Sequence, residues 1–246
     1  VRVKDVAADT IAAFRRTYSG KETNPRYIGV HPGTYDITVK AIALKGDVST
    51  SFEGVNVSAG DTVFKSVDFS PGILRVGVTR NGARSDATVN IYKAGTKERV
   101  AGGRTYRGEK SNPKSVSLTS GTYDVEIGSV EISSSPRHRW ENIVLAPDST
   151  TVLQHEFPSA EIRIGVINGS ELVDSAVHVR DRSTRSEIAR GRTYTSENSN
   201  PKTFTVPPGD YTIHIKALKF EGNPEREFDL SVAAADSVLR LIDLGN

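Results

Sequence analysis

The sequence predicts an all-β chain: tandem seven-stranded β-sandwich domains, immunoglobulin-like or transthyretin-like, on an 88-residue repeat. Two observations carry this. First, Arg16-Thr17-Tyr18, Arg104-Thr105-Tyr106 and Arg192-Thr193-Tyr194 recur every 88 residues, and Asn24-Pro25, Asn112-Pro113 and Asn200-Pro201 keep the same spacing. Second, apolar residues alternate after Gly33, Gly121 and Gly209, as Tyr123, Val125 and Ile127 do against Thr122, Asp124 and Glu126. A period of two marks a half-buried strand and would scatter apolar groups round a helix. Several short strands of this kind bury their apolar faces by packing as two sheets face to face.

A period of 88 exceeds the roughly 20–45 residues of a solenoid unit and suits a small domain that folds alone. The repeats are placed at 1–70, 71–158 and 159–246. ILRVGV at 73–78 aligns with EIRIGV at 161–166, whereas the counterpart in the first repeat falls before residue 1. Val1 and Val3 match Val89 and Ile91, so the first repeat is expected to lack its opening strand. Alternatively, each unit begins one strand later and the strand assigned to its start closes its predecessor.

For the second repeat, strands are expected near 73–79, 87–93, 98–106, 114–118, 122–129, 138–145 and 151–157. Asn81-Gly82 and Asn168-Gly169 suit hairpin turns, and Pro32-Gly33, Ser120-Gly121 and Pro208-Gly209 suit tight turns before strands. Val6 to Ala13 is the one stretch that reads as a short helix or a bulged strand in place of its neighbours' hairpin. The joints Phe69-Ser70-Pro71-Gly72 and Phe157-Pro158-Ser159-Ala160 are short and contain proline, which points to a semi-rigid rod.

The composition narrows the function classes. A net charge of +2 over 246 residues, with only short basic runs such as Arg137-His138-Arg139, argues against a nucleic-acid partner. No run approaches the roughly 20 apolar residues of a membrane span, so direct membrane insertion is not expected. The absence of cysteine excludes disulfides, thiol catalysis and cysteine-held metals. P-loop, dinucleotide and G-x-S-x-G patterns are missing, and no enzyme activity or cofactor is expected.

The repeated motif reads as scaffold. Tyr18, Tyr106 and Tyr194 are expected to bury their rings and place the hydroxyl on backbone near a corner. Arg16, Arg104 and Arg192 are expected to stack on a ring or pair with a carboxylate, and Asn24-Pro25, Asn112-Pro113 and Asn200-Pro201 to turn the chain. His31, His138, His155, His178 and His214 follow no period and no metal-ligand spacing. Asp148-Ser149 and Asp236-Ser237 read as turn entries, and no stretch matches an EF-hand calcium loop. Trp140 recurs as Phe52 and Phe228, as a core anchor would. Loops 45–50, 133–139 and 219–225 differ most between repeats, and within them Ser133, Arg137, His138 and Arg139 are the candidate ligand-binding residues.

ILRVGVTRNG (73–82), ATVNIYKAGTKERVAGG (87–103) and LTSGTYDVEI (118–127) resemble the carboxypeptidase-regulatory-like and transthyretin-like superfamily of bacterial β-sandwich repeats. IRIGVING (162–169), SAVHVRDRSTRSEIARG (175–191) and VPPGDYTIHI (206–215) repeat the pattern. The resemblance implies spacers, folding aids or ligand contacts beside a surface, periplasmic or peptidase module. Collagen-adhesin B-type domains, which carry a lysine–asparagine crosslink, fit less well, because Lys114 and Lys202 meet Arg26 in the first repeat.

The expected function is therefore a non-enzymatic spacer or stalk segment of an exported protein, located extracellularly, at the cell surface or in the periplasm. Its expected partners are the adjoining domains of a longer chain. The alternatives are an adhesion module whose inter-strand loops bind a protein or glycan and, more weakly, an accessory region of a peptidase or other hydrolase.

Overall fold

The computed structural model describes residues 1–245, and its strands fall into three groups. The first comprises β1 (Arg2–Asp5), β2 (Thr10–Phe14), β3 (Gly33–Lys40) and β4 (Ser49–Val57), joined as one antiparallel sheet in the order β2-β1-β3-β4. The second runs β5 (Pro71–Arg80), β6 (Ala83–Arg84), β7 (Ala87–Lys93), β8 (Arg99–Arg104), β9 (Lys114–Thr119), β10 (Gly121–Ser129), β11 (Arg137–Leu145) and β12 (Thr150–Glu156). It forms two sheets, β11-β10-β7-β8 and β12-β5-β9, with the two-residue β6 folded back on β5. The third repeats this with β13 (Ala160–Asn168), β14 (Glu171–Leu172), β15 (Ser175–Asp181), β16 (Glu187–Thr193), β17 (Lys202–Val206), β18 (Gly209–Ala217), β19 (Glu225–Val232) and β20 (Ser237–Asp243). Its sheets are β16-β15-β18-β19 and β20-β13-β17. Among the described residues no strand pairs outside its own group.

Alternation builds the cores. Leu74, Val76 and Val78 of β5 pack with Val89, Ile91, Val125 and Ile127 of the opposite sheet, all nearly inaccessible. Ile162, Ile164 and Val166 do the same against Val177, Val179, Ile213 and Ile215. Each such side chain contributes about 1.5–3 kcal/mol when fully buried. Trp140 and Phe228, the recurring aromatics, pack half-buried against the rims of these cores.

The first repeat departs further from the others than its sequence suggests, because it is a single sheet and not a sandwich. In the second repeat β5 is the centre of the smaller sheet, parallel to β12 on one side and antiparallel to β9 on the other, and among residues 1–70 no strand takes that place. Residues 26–31 and 62–68, one period before β9 and β12, form no strand. Ile37 and Val39 stay half-buried, while their counterparts Val125 and Ile127 are fully enclosed. Val6 to Ala13 is no helix and does not replace the neighbouring hairpin, but the bulged-strand alternative holds in part, since β2 carries one extra residue, Ala12, between the partners of Val3 and Lys4. It holds the turn and part of the second strand of the β1–β2 hairpin, whose register shifts between Val3 and Lys4, and this hairpin corresponds to β7–β8.

The buried part of the recurring motif is a polar plug between hairpin and sheet. Asn112 accepts from Val78 N–H at 3.1 Å and donates to Val78 O at 2.7 Å and Ser85 O at 3.0 Å. Asn200 does the same with Val166 N–H, Val166 O and Val173 O. Thr105 accepts from Ala87 N–H and donates to Ser85 O, and Thr193 mirrors it. Buried backbone groups left unpaired are costly, so the plug holds in place the end of the opening strand and the start of β7 or β15. The corner role expected of Tyr18, Tyr106 and Tyr194 belongs to other tyrosines. Tyr35, Tyr123 and Tyr211 each donate their hydroxyl to the carbonyl four residues upstream, at 2.7, 2.8 and 2.6 Å. Burial pushes the Tyr211 hydroxyl pKa up to about 12, with Asp181 adding to it.

Asn112→Ala should lower the stability of its repeat by about 1–3 kcal/mol, because three buried backbone groups each lose a hydrogen bond, although Val78 O keeps Ser85 N–H and Ser85 O keeps Thr105. Asn24→Ala, at an exposed position, should cost less than about 0.5 kcal/mol. Urea unfolding followed through Trp140, the single tryptophan, reads the second repeat directly. Equal midpoints for wild type and Asn112→Ala would refute the plug.

Candidate functional site

Hydrogen bonds and an ion pair tie the repeats together where they meet. At the first joint, loop 45–47 docks on the end of the second repeat. Thr119 N–H donates to Lys45 O at 2.9 Å, Thr119 Oγ1 to Asp47 O at 3.1 Å, and Asp47 N–H to the Tyr123 hydroxyl at 3.0 Å. The Asp47 carboxylate pairs with Lys93 at 2.8 Å and raises the Lys93 pKa. Gly46 lies between these contacts with φ +105°, and a Cβ there would fall 2.6 Å from Thr119 Oγ1, so only glycine allows the approach. The corner hydroxyl of Tyr123 thus serves two repeats at once.

The second joint uses the same loop position, one period on. Ser133 N–H donates to Thr205 O at 2.8 Å. The linker is pinned as well: Asn81 accepts from Ser159 N–H at 3.0 Å and donates to Ser159 O at 2.9 Å, while Ala235 N–H of the third repeat donates to that same oxygen at 2.8 Å. Ser159, almost wholly buried, is therefore bonded to both of its neighbours. Phe157 N–H donates to Thr79 O, which holds the linker to the second repeat. The base of this loop is closed in the same way in both full repeats, with Val130 N–H on Asp86 O and Ser129 N–H on Pro136 O in the second, and Leu218 N–H on Asp174 O and Ala217 N–H on Pro224 O in the third.

The exposed half of the recurring motif is a charged surface ladder. Tyr106 and Tyr194 are about half exposed, at 52% and 49%, so the expectation of buried rings fails. Their neighbours stack as expected: the guanidinium carbons of Arg16, Arg104 and Arg192 lie 5.0, 5.1 and 4.9 Å from the ring centroids of Tyr18, Tyr106 and Tyr194. Arg104 also grips Asp86 and Arg192 grips Asp174 through paired hydrogen bonds of 2.6 Å. The Arg192 contact holds the Asp174 carboxyl below its usual range, although burial opposes it. Pro25, Pro113 and Pro201 each follow a cis peptide bond at the end of the motif.

The four nominated ligand-binding residues do not form one site. Ser133 is at the second joint, and Arg137, His138 and Arg139 belong to strand β11 and not to a loop. Arg137 pairs with Glu126 at 2.9 Å. His138 stacks on His155 with ring centroids 4.0 Å apart, and Trp140 meets it edge-on at 4.6 Å. Arg139 pairs with Asp124 at 2.8 Å and with Glu141 at 3.4 Å, and its guanidinium lies over Tyr92. Arg139, Asp124, Tyr92, Lys97, Glu141 and Asn142 line an open concavity of about 570 Å³. Hydrogen bonds from Asn142 N–H, Gly95 N–H and Arg139 hold the Asp124 carboxyl low, with desolvation opposing. Among the described residues no cluster of three or more His, Asp or Glu is arranged to hold a metal ion, and no helix is long and apolar enough to cross a membrane.

No protein-family model and no curated protein matches the chain. Among solved structures, the Bacillus anthracis TIE protein aligns over 86% of this chain at 16% identity with a TM-score of 0.32, and this chain spans 41% of its length. The Streptococcal ancillary pilin aligns over 87% of this chain and 76% of its own at 8% identity, TM-score 0.34. The shaft pilin SpaA of Lactobacillus rhamnosus GG aligns over 71% and 98% at 9% identity, TM-score 0.32.

The stacked histidines predict a pH response. Burial lowers the His155 pKa, the charge of His138 lowers it further, and Glu156 opposes weakly. The unfolded chain takes up a proton near pH 6.5 that the folded state resists, so stability falls as pH drops through and below that value. The thermal midpoint of the second repeat should decline between about pH 7.5 and about pH 5.5, and His155→Phe should flatten that slope. An identical slope in wild type and variant contradicts the assignment.

Proposed function

We propose that this chain is a non-enzymatic spacer segment of an extracellular, cell-surface or periplasmic protein, with repeats 1–70, 71–158 and 159–246 held in semi-rigid series. The observation that carries the reading is the double tie at each joint: a short linker plus a loop that hydrogen-bonds across to the next repeat. Loops that dock on different neighbours have reason to diverge, which accounts for their variation without a ligand. The outward arginine–tyrosine ladder then adds local stiffness and solubility, each exposed stack being worth about 0.5–1 kcal/mol. The resemblance to carboxypeptidase-regulatory-like repeats supports a role beside other modules of a longer chain.

A second reading follows from the concavity at Arg139. Its aromatic floor and mixed charges suit a polar glycan or peptide, with Arg137 and His138 on the same strand. Binding to a glycan and surface-protein array that disappears in Arg139→Ala favours this reading. Binding that persists in the variant removes it.

Small-angle scattering tests the spacer. The wild-type chain should give an extended particle with a well-defined maximum dimension. Gly46→Val should broaden the distance distribution by freeing the first joint, with far-UV circular dichroism unchanged. A folded-back, globular wild-type particle sinks the proposal.

A further inference from the structure

The turn between β5 and β6 does more than reverse the chain. Thr79 pairs with Arg84 and Arg80 with Ala83, which leaves Asn81 and Gly82 as a two-residue hairpin turn, with φ of +48° and +78°. A Cβ at Gly82 would meet nothing within 4 Å, so glycine is there for its backbone and not for packing. The Asn81 side chain leaves the turn and closes the second joint. Its Oδ1 accepts from Ser159 N–H at 3.0 Å, and its Nδ2 donates to Ser159 O at 2.9 Å and to Ser159 Oγ at 3.3 Å. Gly82 N–H donates to Glu156 Oε1 at 3.0 Å. Ala235 N–H of the third repeat reaches the same Ser159 O at 2.8 Å.

Asparagine followed by glycine is the pair most open to loss of the side-chain amide, because glycine has no side chain to hinder attack by its own nitrogen. In that reaction the Gly82 nitrogen attacks Asn81 Cγ. The new N–C bond closes a cyclic imide, the Cγ–Nδ2 bond breaks, and ammonia leaves with the proton that the Gly82 nitrogen gives up. Water then opens the imide at either carbonyl, to aspartate or isoaspartate. The closed joint holds both reacting groups: the amide is bonded at its oxygen and at its nitrogen, and the attacking N–H is bonded to a carboxylate. Both must swing free before they can react, which requires local opening. The product does not fit the closed joint. An ionised aspartate only accepts hydrogen bonds, so Ser159 O loses the Asn81 donor and faces a negative charge, with the Glu156 carboxylate close by at Gly82. Isoaspartate also lengthens the main chain of a turn fixed at two residues.

We propose that Asn81-Gly82 is a modification site that records opening of the second joint: closed, the joint blocks deamidation of Asn81; open, it permits the reaction, and the product keeps the joint from closing again. Water is the one co-reactant. The other Asn-Gly pair shows what the joint adds. Asn168-Gly169 lies at the turn between β13 and β14, and Gly169 N–H is likewise held by a carboxylate, that of Asp243 at 3.2 Å. The Asn168 side-chain amide, however, makes no hydrogen bond among the described residues. The grip of Ser159 on the amide is therefore what sets Asn81 apart. The inference rests on this contact and not on the spacer role, so either can fail without the other.

The test is peptide mapping by mass spectrometry of the 246-residue chain kept for weeks at mildly alkaline pH, beside a free peptide copying residues 77–86, GVTRNGARSD. Asn81 in the folded chain should convert about tenfold or more slowly than in the peptide, the suppression given by an opening that costs about 1.4 kcal/mol or more. Ser159→Pro removes the N–H that holds Asn81 Oδ1 and should restore most of the peptide rate. Asn168 should keep its own rate in that variant, which reports that the third repeat is still folded. Asn81→Asp, which copies one product, should speed amide exchange at Ser159 and Ala235 about tenfold or more and leave the cores protected. This measurement decides alone should Ser159→Pro disturb the third repeat. The proposal is overturned if Asn81 in the folded chain converts as fast as in the peptide, or stays slow in a folded Ser159→Pro chain. Wild-type protection at Ser159 and Ala235 in Asn81→Asp overturns it equally.

Discussion

Each complete sandwich depends on one strand being in its smaller sheet. β5 and β13 are the centres of three-stranded sheets, and every hydrogen bond that makes β9, β12, β17 and β20 into strands runs to them. Removing a centre removes a sheet, whereas removing an edge would remove only a strand. The first repeat has recognisable counterparts of both edges, yet neither forms a strand, and the apolar face they would cover is left half open. The plug of Thr105 and Asn112, and its twin Thr193 and Asn200, exists to hold that centre: it ties the end of the strand to the start of the opposite sheet through buried hydrogen bonds.

The joints extend the same economy of parts. Tyr123 closes its own corner and receives Asp47 from the preceding repeat, and Ser159 O accepts from the repeat on either side. Because a joint reuses groups already fixed by the fold, it holds orientation with few residues. Loop 45–47 and loop 133–135 occupy equivalent places but bond to different atoms of the next repeat, so their sequences need not match.

Much of the fold was legible in the residues. The strands expected in the second repeat agree with the observed ones within two residues at nearly every edge, because alternation and turn residues act locally. The arginine-over-tyrosine stacks were legible too, since both partners sit two residues apart in the chain, although the tyrosines lie just past the ends of the strands. The partition of tyrosines was not. Tyr106 and Tyr123 recur equally well, and only the packing shows that the first is half exposed while the second is enclosed. A signal was available for Asp86 and Asp174: both recur, and both stand 18 residues before an arginine of the motif. For Gly46 and Asp47 there was none, because a contact made at one joint leaves no period. Arg137, His138 and Arg139 were grouped by adjacency, but strand geometry sends Arg137 and Arg139 to the face opposite His138.

The sequence by itself determined the repeat, the all-β class and the identity of the strands, since these follow from local alternation, turn chemistry and a fixed period. The tertiary structure decided which strand is central, which member of each recurring motif is buried, and how one repeat is tied to the next. Those outcomes depend on hydrogen bonds between residues 30 to 80 positions apart, such as Asn112 with Val78 and Asp47 with Tyr123, and no local pattern encodes such pairings.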